Sequence, residues 1–261
     1  MSSEEILIER EESMGLIFLN REQKLNALNN KMQETLYNVI SEMNEEDSIR
    51  VIIVSGKGRA FSAGSDIYEY IKWKSESNLL EFIKHQRLAN RLFELIEDIE
   101  KPVIAAVNGY ALGGGFELAL ACDFIIASKE AEFGFPEIKL GLIPGGGFRK
   151  LLLYIGPNRT KEFLLTGKTI KADELMELGI VNKVVEKDKL IIEAKNFARN
   201  IIGAWISVEK VKSILNSTVN NAFGLRNSWE WDVTSMLFNT QDAKEGLEAF
   251  LSKRPPKFTG K

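Results

Sequence analysis

A single cysteine, Cys122, and a single histidine, His85, occur among 261 residues. One thiol closes no intramolecular disulfide, so a reducing cytoplasm is the expected setting. The same scarcity denies a tetrahedral zinc site its usual N/S ligands, and no metal is expected. A Ser-His-Asp or Cys-His mechanism would have to run through His85, which falls in a helix-like stretch far from any nucleophile motif. Positive charge is not in excess: 34 basic residues face 37 acidic ones, for a net charge of −3. The broad basic surface that neutralises phosphates is therefore not expected, and neither is a nucleic-acid partner. A local basic pocket for a phosphorylated small ligand stays open. No apolar run approaches 18 residues, so no membrane span is expected. The opening MSSEEILIER lacks the basic, apolar and small-residue order of a signal peptide. What the chain does have is 44% hydrophobic and 27% charged residues, a globular composition at a length that buries a large core.

Strand-like and helix-like signals alternate over the first two thirds. Ile6 to Glu9 and Gly15 to Asn20 read as paired strands, and Asn29 or Asn30 as the cap of a helix running to about Asn44. The runs Val51–Val54 and Val103–Val107 suit strands buried on both faces. Residues 60–70 read as a small-residue loop, and Ser77 to Glu100 as one long amphipathic helix that Pro102 ends. A short helix over Phe116–Ala121 and a strand over Phe124–Ala127 follow. Helical patterns come near 147–155, 158–165 and 172–178, before a last strand, Ile180–Val185. From 188 onward the text is helical, over 188–202, 207–221, 228–238 and 242–252, the last opened by Asp242 and Glu245 as a capping box. Alternation followed by helices alone predicts an α/β core with a helical C-terminal region, divided near residue 200. There is no internal repeat or Pro/Ser-rich linker.

The glycine motifs fail the phosphate-binding templates. Gly109-Tyr-Ala-Leu-Gly113-Gly-Gly115 is not G-x-G-x-x-G, and Gly167-Lys168-Thr169 has Glu162 where a P-loop needs its first glycine. Ala60-Phe-Ser62-Ala-Gly64 lacks the first glycine of a nucleophile elbow.

Three segments remain. In Gly113-Gly-Gly-Phe-Glu117 a buried strand feeds glycines and then a helix, whose free N–H groups favour negative charge. Glu117, three residues beyond Gly114, projects from the first turn on about the same side. In Phe133-Gly-Phe-Pro-Glu137, Pro136 restricts the backbone before a second carboxylate, with Gly141 and Gly145–Gly147 downstream. In Phe61-Ser-Ala-Gly-Ser65-Asp66 the Ser65 N–H is a second backbone donor. Each has a bland alternative: a tight packing crossing, an ordinary turn, a plain β-to-α loop.

Together they match a pattern. Lys101 to Asp123 (KPVIAAVNGYALGGGFELALACD) closely resembles the signature of the crotonase superfamily, the enoyl-CoA hydratase/isomerase family. Arg21 to Asn29 (REQKLNALN), Gly58 to Ile67 (GRAFSAGSDI), Phe133 to Glu137, Thr166 to Ala172 (TGKTIKA) and Glu245 to Phe258 resemble its other landmarks in order, across essentially the whole chain.

The resemblance implies a crotonase-like α/β spiral of repeated ββα units over residues 1–200, and a helical oligomerisation region over 201–261 that forms a trimer or a dimer of trimers. It implies an acyl-CoA thioester substrate, no cofactor beyond that coenzyme A, and enolate stabilisation by the N–H groups of Ser65 and Gly114. Such donors are worth roughly 3–4 kcal/mol each in mutational tests. Serine replaces the more common alanine at 65, which is expected to matter little because the backbone donates. Glu117 and Glu137 occupy the acid/base positions of the hydratases. They imply reversible addition of water across the 2,3 double bond of a trans-2-enoyl-CoA, or dehydration of a 3-hydroxyacyl-CoA.

Coenzyme A is expected along Lys24, Ala27, Leu28, Ala63, Asp66, Ile67 and Tyr68, with Lys24 and a neighbouring subunit's Lys253 meeting phosphates. Both lysines read equally well as solvated charges. A family lysine often found at the Tyr68 position is absent. Phe61, Tyr68, Tyr70, Trp73 and Phe82 are candidates for the acyl pocket or for plain core. Gly145 is expected near the catalytic water. The segment Pro144-Gly-Gly-Gly-Phe-Arg-Lys-Leu151 is one residue shorter than the usual family text and lacks its Thr-Gln pair, which leaves acyl preference open. Sister reactions on the scaffold are isomerisation, acyl-CoA hydrolysis and decarboxylation. A non-enzymatic RNA-binding or scaffold role is disfavoured by the net charge and the intact site.

Overall fold

The apolar runs Met14–Leu19, Val51–Gly56 and Val103–Val107 are buried at every position, as strands covered on both faces must be. The structure, a computed structural model, describes residues 5–223 and 229–261. In chain order the strands are β1 (Ile6–Glu11), β2 (Met14–Leu19), β3 (Val51–Gly56), β4 (Ala60–Ser62), β5 (Val103–Val107), β6 (Tyr110–Leu112), β7 (Phe124–Ser128), β8 (Glu132–Gly134), β9 (Thr169–Lys171) and β10 (Lys183–Val185). The helices are α1 (Asn30–Glu45), α2 (Ile67–Ser75), α3 (Leu79–Asp98), α4 (Gly114–Ala121), α5 (Lys150–Thr166), α6 (Ala172–Glu177), α7 (Leu190–Ile201), α8 (Trp205–Phe223), α9 (Trp229–Phe238) and α10 (Gln241–Leu251).

The main sheet runs β1-β2-β3-β5-β7-β10, antiparallel only at β1–β2. Side chains alternate across it with period two. Ile17, Leu19, Ile52, Val54, Val103 and Ala105 join the core shared with α1, α3 and α4. Leu16, Phe18, Val51, Ile53, Ile104 and Ala106 face the other way, against Leu190, Ala194 and Ala198 of α7. A second sheet of three-residue strands runs β4-β6-β8-β9. The chain passes repeatedly from a long strand of the first sheet to a short strand of the second and then into helix: β3, β4, α2; β5, β6, α4; β7, β8 and the single turn Pro136–Leu140. This is the α/β spiral of ββα units expected from the sequence.

Some expected boundaries move. The loop expected over 60–70 contains β4 and the start of α2, whose cap is Asp66, its carboxylate accepting from the Tyr68 N–H. The long helix begins at Leu79, after Asn78 caps it. Gly156 (φ 69°, ψ 172°) and Pro157 break α5 in the middle, so the two helices read there are physically distinct. The capping box expected at Asp242 and Glu245 is absent. Thr240 caps α10 by accepting from the Ala243 N–H. The two carboxylates face the returning C-terminal tail, whose N–H groups need acceptors: Asp242 takes Thr259 and Gly260, and Glu245 takes Lys257 and the Arg254 guanidinium. Residues 1–4 of the acidic N-terminus, and residue 228, where the third C-terminal helix was expected to begin, lie outside the described residues.

Candidate active site

Loop 21–29 is stitched to the segment after β4 by three backbone bonds. The Ala63 N–H donates to Leu25, the Leu28 N–H to Gly64, and the Asp66 N–H to Leu28. The last two make a parallel bridge centred on Ser65. In that geometry the partner strand bonds the residues flanking Ser65, so the Ser65 N–H itself points away from Leu28. The loop's own fold rests on Asn26, which is fully buried. Its amide donates to the Lys57 and Ala60 carbonyls and accepts from the Arg21 N–H. Arg21 pairs with Asp66 at 2.9 Å and with Glu5 at 3.1 Å.

Gly113 precedes α4 at φ 51° and ψ −126°, and a side chain there would collide with Glu137 Oε1. Glycine alone both makes this turn and lets the carboxylate approach. Gly114 then opens the helix, so its N–H has no intrahelical acceptor. A Cβ on Gly114 would stand 3.7 Å from the Ser65 nitrogen. The two backbone donors are thus neighbours across one small space, and among the described residues neither donates to a backbone carbonyl.

Glu117 lies on the first turn of α4, 4% exposed, with Oε1 accepting from the Gly147 N–H at 2.9 Å. A Cβ on Gly147 would come within 2.8 Å of Glu117 Cβ, so glycine is what admits that backbone donor. Glu137 follows Pro136 on the turn between β8 and α5. Its Oε2 is shielded from solvent and has no hydrogen-bond partner. Burial first, and the charge of Glu117 second, push the Glu137 carboxyl up to about 8. A pair of facing carboxyls, one kept protonated near neutrality, can take a proton from a substrate water and deliver another.

The wall beside this pair is aromatic. Tyr70, Trp73, Phe82, Leu142 and Phe238 form one cluster, with the Phe82 and Phe238 rings stacked at 3.9 Å. Burial, reinforced by Glu137 and Glu117, pushes the Tyr70 hydroxyl far above its ordinary range, so it stays protonated. Phe61 is fully buried core, whereas Tyr68 is 56% exposed with Lys24 Nζ 3.8 Å from its ring centre.

The structure brings Ser65, Gly114, Glu117 and Glu137 together, with buried Gly145 in the loop between the Glu137 turn and α5. Leu28 reaches toward Gly114, and Ala27 lends its carbonyl to Arg21. Ala63 and Ile67 flank the bridge half-buried, and Asp66 is spent on Arg21 and the α2 cap. Lys253 is exposed beyond α10. Within one chain no described hydrogen bond, ion pair or ring contact joins its side chain to loop 21–29. Sequence reasoning missed Arg21, His85, Gln86 and Phe238. His85 was read as remote from any nucleophile motif, yet its Nε2 is 3.2 Å from Ser65 Oγ. Helical spacing shows that Phe82, His85 and Gln86 share a buried face; nothing in it shows what lies opposite.

Residues 9–261 match the sequence profile described as enoyl-CoA hydratase/isomerase. A crotonyl-CoA hydratase of Syntrophomonas wolfei is 39% identical over the full length of both chains. A short-chain-enoyl-CoA hydratase of Clostridium acetobutylicum is 38% identical over 97% of each. The crystal structure of an enoyl-CoA hydratase from Bacillus halodurans superposes with a TM-score of 0.86 at 28% identity, covering 94% of this chain and 99% of that one.

Proposed function

The chain belongs to the enoyl-CoA hydratase/isomerase family and is an enoyl-CoA hydratase, and from that premise we propose how its residues carry the reaction. The thioester carbonyl of a trans-2-enoyl-CoA sits between the Ser65 and Gly114 N–H groups. As the water oxygen bonds to Cβ, the π pair moves toward that carbonyl, and fixed donors stabilise the enolate without reorganisation. Glu117 takes the proton of the water. Glu137, protonated at the start, gives its proton to Cα, so one water has been added. A proton passed from Glu117 to Glu137 through the next water resets the pair. The observation that supports this division of roles is the buried Glu137 carboxyl, pushed up to about 8 beside Glu117.

No cofactor is needed beyond the coenzyme A of the substrate, because the reaction moves only water and protons. Lys24, above Tyr68 at the surface, suits the phosphates, and Lys253 of a second copy is assigned the same role. The stacked Phe82 and Phe238 rings close the acyl side, which favours short chains such as crotonyl. Exposed Ile206, Val211, Ile214 and Leu215 on α8, each more than half exposed, fit assembly into a trimer or a dimer of trimers. No helix among the described residues is long and apolar enough to cross a membrane. Cytoplasmic residence fits a chain whose one cysteine, Cys122, is a buried free thiol.

The test is the ultraviolet absorbance of crotonyl-CoA with purified protein, followed by product analysis. Loss of the conjugated signal with 3-hydroxybutyryl-CoA formed is the expected result. A different product would assign a sister reaction on the same scaffold.

A further inference from the structure

We propose that His85 is a positioning residue of the oxyanion pocket: its ring accepts the Ser65 hydroxyl proton and so holds the Ser65 backbone N–H in line with that of Gly114. The proposal rests on the reading of Ser65 and Gly114 as the carbonyl donors, and it opposes the expectation that serine at 65 is equivalent to alanine.

The ring is fully buried, wedged against the Tyr70 edge and Trp73. Its Nδ1 lies 2.7 Å from Asn30 Oδ1, which only accepts, so Nδ1 carries the proton. The Nε2 lone pair faces two donors, Ser65 Oγ at 3.2 Å and the Gln33 amide at 3.1 Å. Burial, only partly opposed by the charge of Asp66, pushes the imidazole down to about 3, and Glu69, 4.0 Å from Nδ1, is itself raised by burial. The ring is therefore a neutral acceptor and takes no part in proton transfer to substrate. Gln33 Nε2 stands 3.1 and 3.2 Å from the two ring nitrogens.

The Ser65 hydroxyl sits in a buried polar cluster that reaches α3. The Gln86 amide donates to the Tyr70 hydroxyl at 2.9 Å, Tyr70 is also hydrogen-bonded to Ser65, and His85 stands between Ser65 Oγ and Asn30 Oδ1. Ser65 is thereby tied to α3 through its side chain as well as to loop 21–29 through the backbone bridge. Ser65 Oγ also lies 3.6 Å from where a Gly114 Cβ would stand, so the anchored hydroxyl borders the space between the two donors. Small errors in donor placement cost rate steeply, which gives a second anchor its value.

The experiment is a double-mutant cycle of Ser65→Ala and His85→Gln, reading kcat and KM for crotonyl-CoA with melting temperature as a fold control. Each single change is expected to lower kcat about tenfold with KM within about twofold, and the double variant to fall no further than either alone. A second readout does not need turnover. The absorption maximum of a bound dienoyl-CoA, read immediately after rapid mixing, moves to the red as its carbonyl is polarised. Both single variants should lose the same part of that shift. A Ser65→Ala enzyme with unchanged kcat and unchanged shift overturns the proposal, as do effects that multiply in the double variant. If His85→Gln does not fold, Ser65→Ala decides alone. A wild type that shifts the dienoyl spectrum without hydrating crotonyl-CoA would instead overturn the hydratase mechanism and leave this proposal standing.

Discussion

Glu137 keeps a proton at neutral pH because its carboxyl is buried beside the charge of Glu117. If Glu137 is the acid, kcat for hydration should fall as pH rises through about 8, and a pH–rate profile without that limb would assign the proton elsewhere. Stability carries the matching sign. Above the ordinary value of 4.5 the unfolded chain releases this proton while the folded chain holds it to about 8. The fold therefore loses stability across that window and regains none above it. Glu137→Gln should melt higher than the wild type at alkaline pH and close to it under acid conditions. Asn26 makes a second claim at this scale. It adopts a left-handed backbone (φ 55°) beside Leu25 (φ 51°) and pairs three backbone groups. Asn26→Ala should cost on the order of 3 kcal/mol in denaturant unfolding, by leaving buried donors and acceptors unpaired. The two glutamates were legible because Glu137 directly follows Pro136 and Glu117 stands two residues after the Gly113–Gly115 run, residues that dictate local backbone. His85 was not, since its partner Ser65 sits 20 residues away on another element, and Tyr70, a candidate for the acyl pocket or core, gave no sign of its bond to Gln86, 16 residues on.

Elements long enough to show a period were readable, and short ones were not. α1 appeared within a residue of its ends because Asn29 caps an apolar stripe of Met32, Leu36, Val39, Ile40 and Met43. The strands β4, β6, β8 and β9 have three residues each, too few to display alternation. The cap of α10 was misplaced because Asp242 and Glu245 satisfy the spacing of a capping box while serving the tail. Thr240 carries the cap, so Thr240→Ala should destabilise the protein by about 1 kcal/mol. Calorimetry should then show a drop in Tm of roughly 2–4 °C for a chain of this size. An unchanged Tm would mean that α10 is held by its packing on the Pro136–Leu140 turn, α2 and α9.

The whole molecule uses its two sheets to bring distant loops to one point. β3 and β5 pair in parallel, and β4 and β6 pair beyond them, so the segments after β4 and β6 emerge side by side. That adjacency places Ser65 next to Gly114, 49 positions further along the chain, and no local pattern announces it. It became readable only through the ordered motifs of the family. The exposed apolar residues of α8 belong to this scale as well. Light scattering should report a trimer or hexamer, and a monomer would remove the assembly role given to α8 and the second-copy role given to Lys253. The most direct test of the central claim is the hydration rate of crotonyl-CoA by Glu117→Gln and Glu137→Gln, each compared with the wild type. Each should lose about 10²- to 10⁴-fold in kcat while still binding the CoA ester. Near-normal turnover by either variant would contradict the paired-carboxylate mechanism.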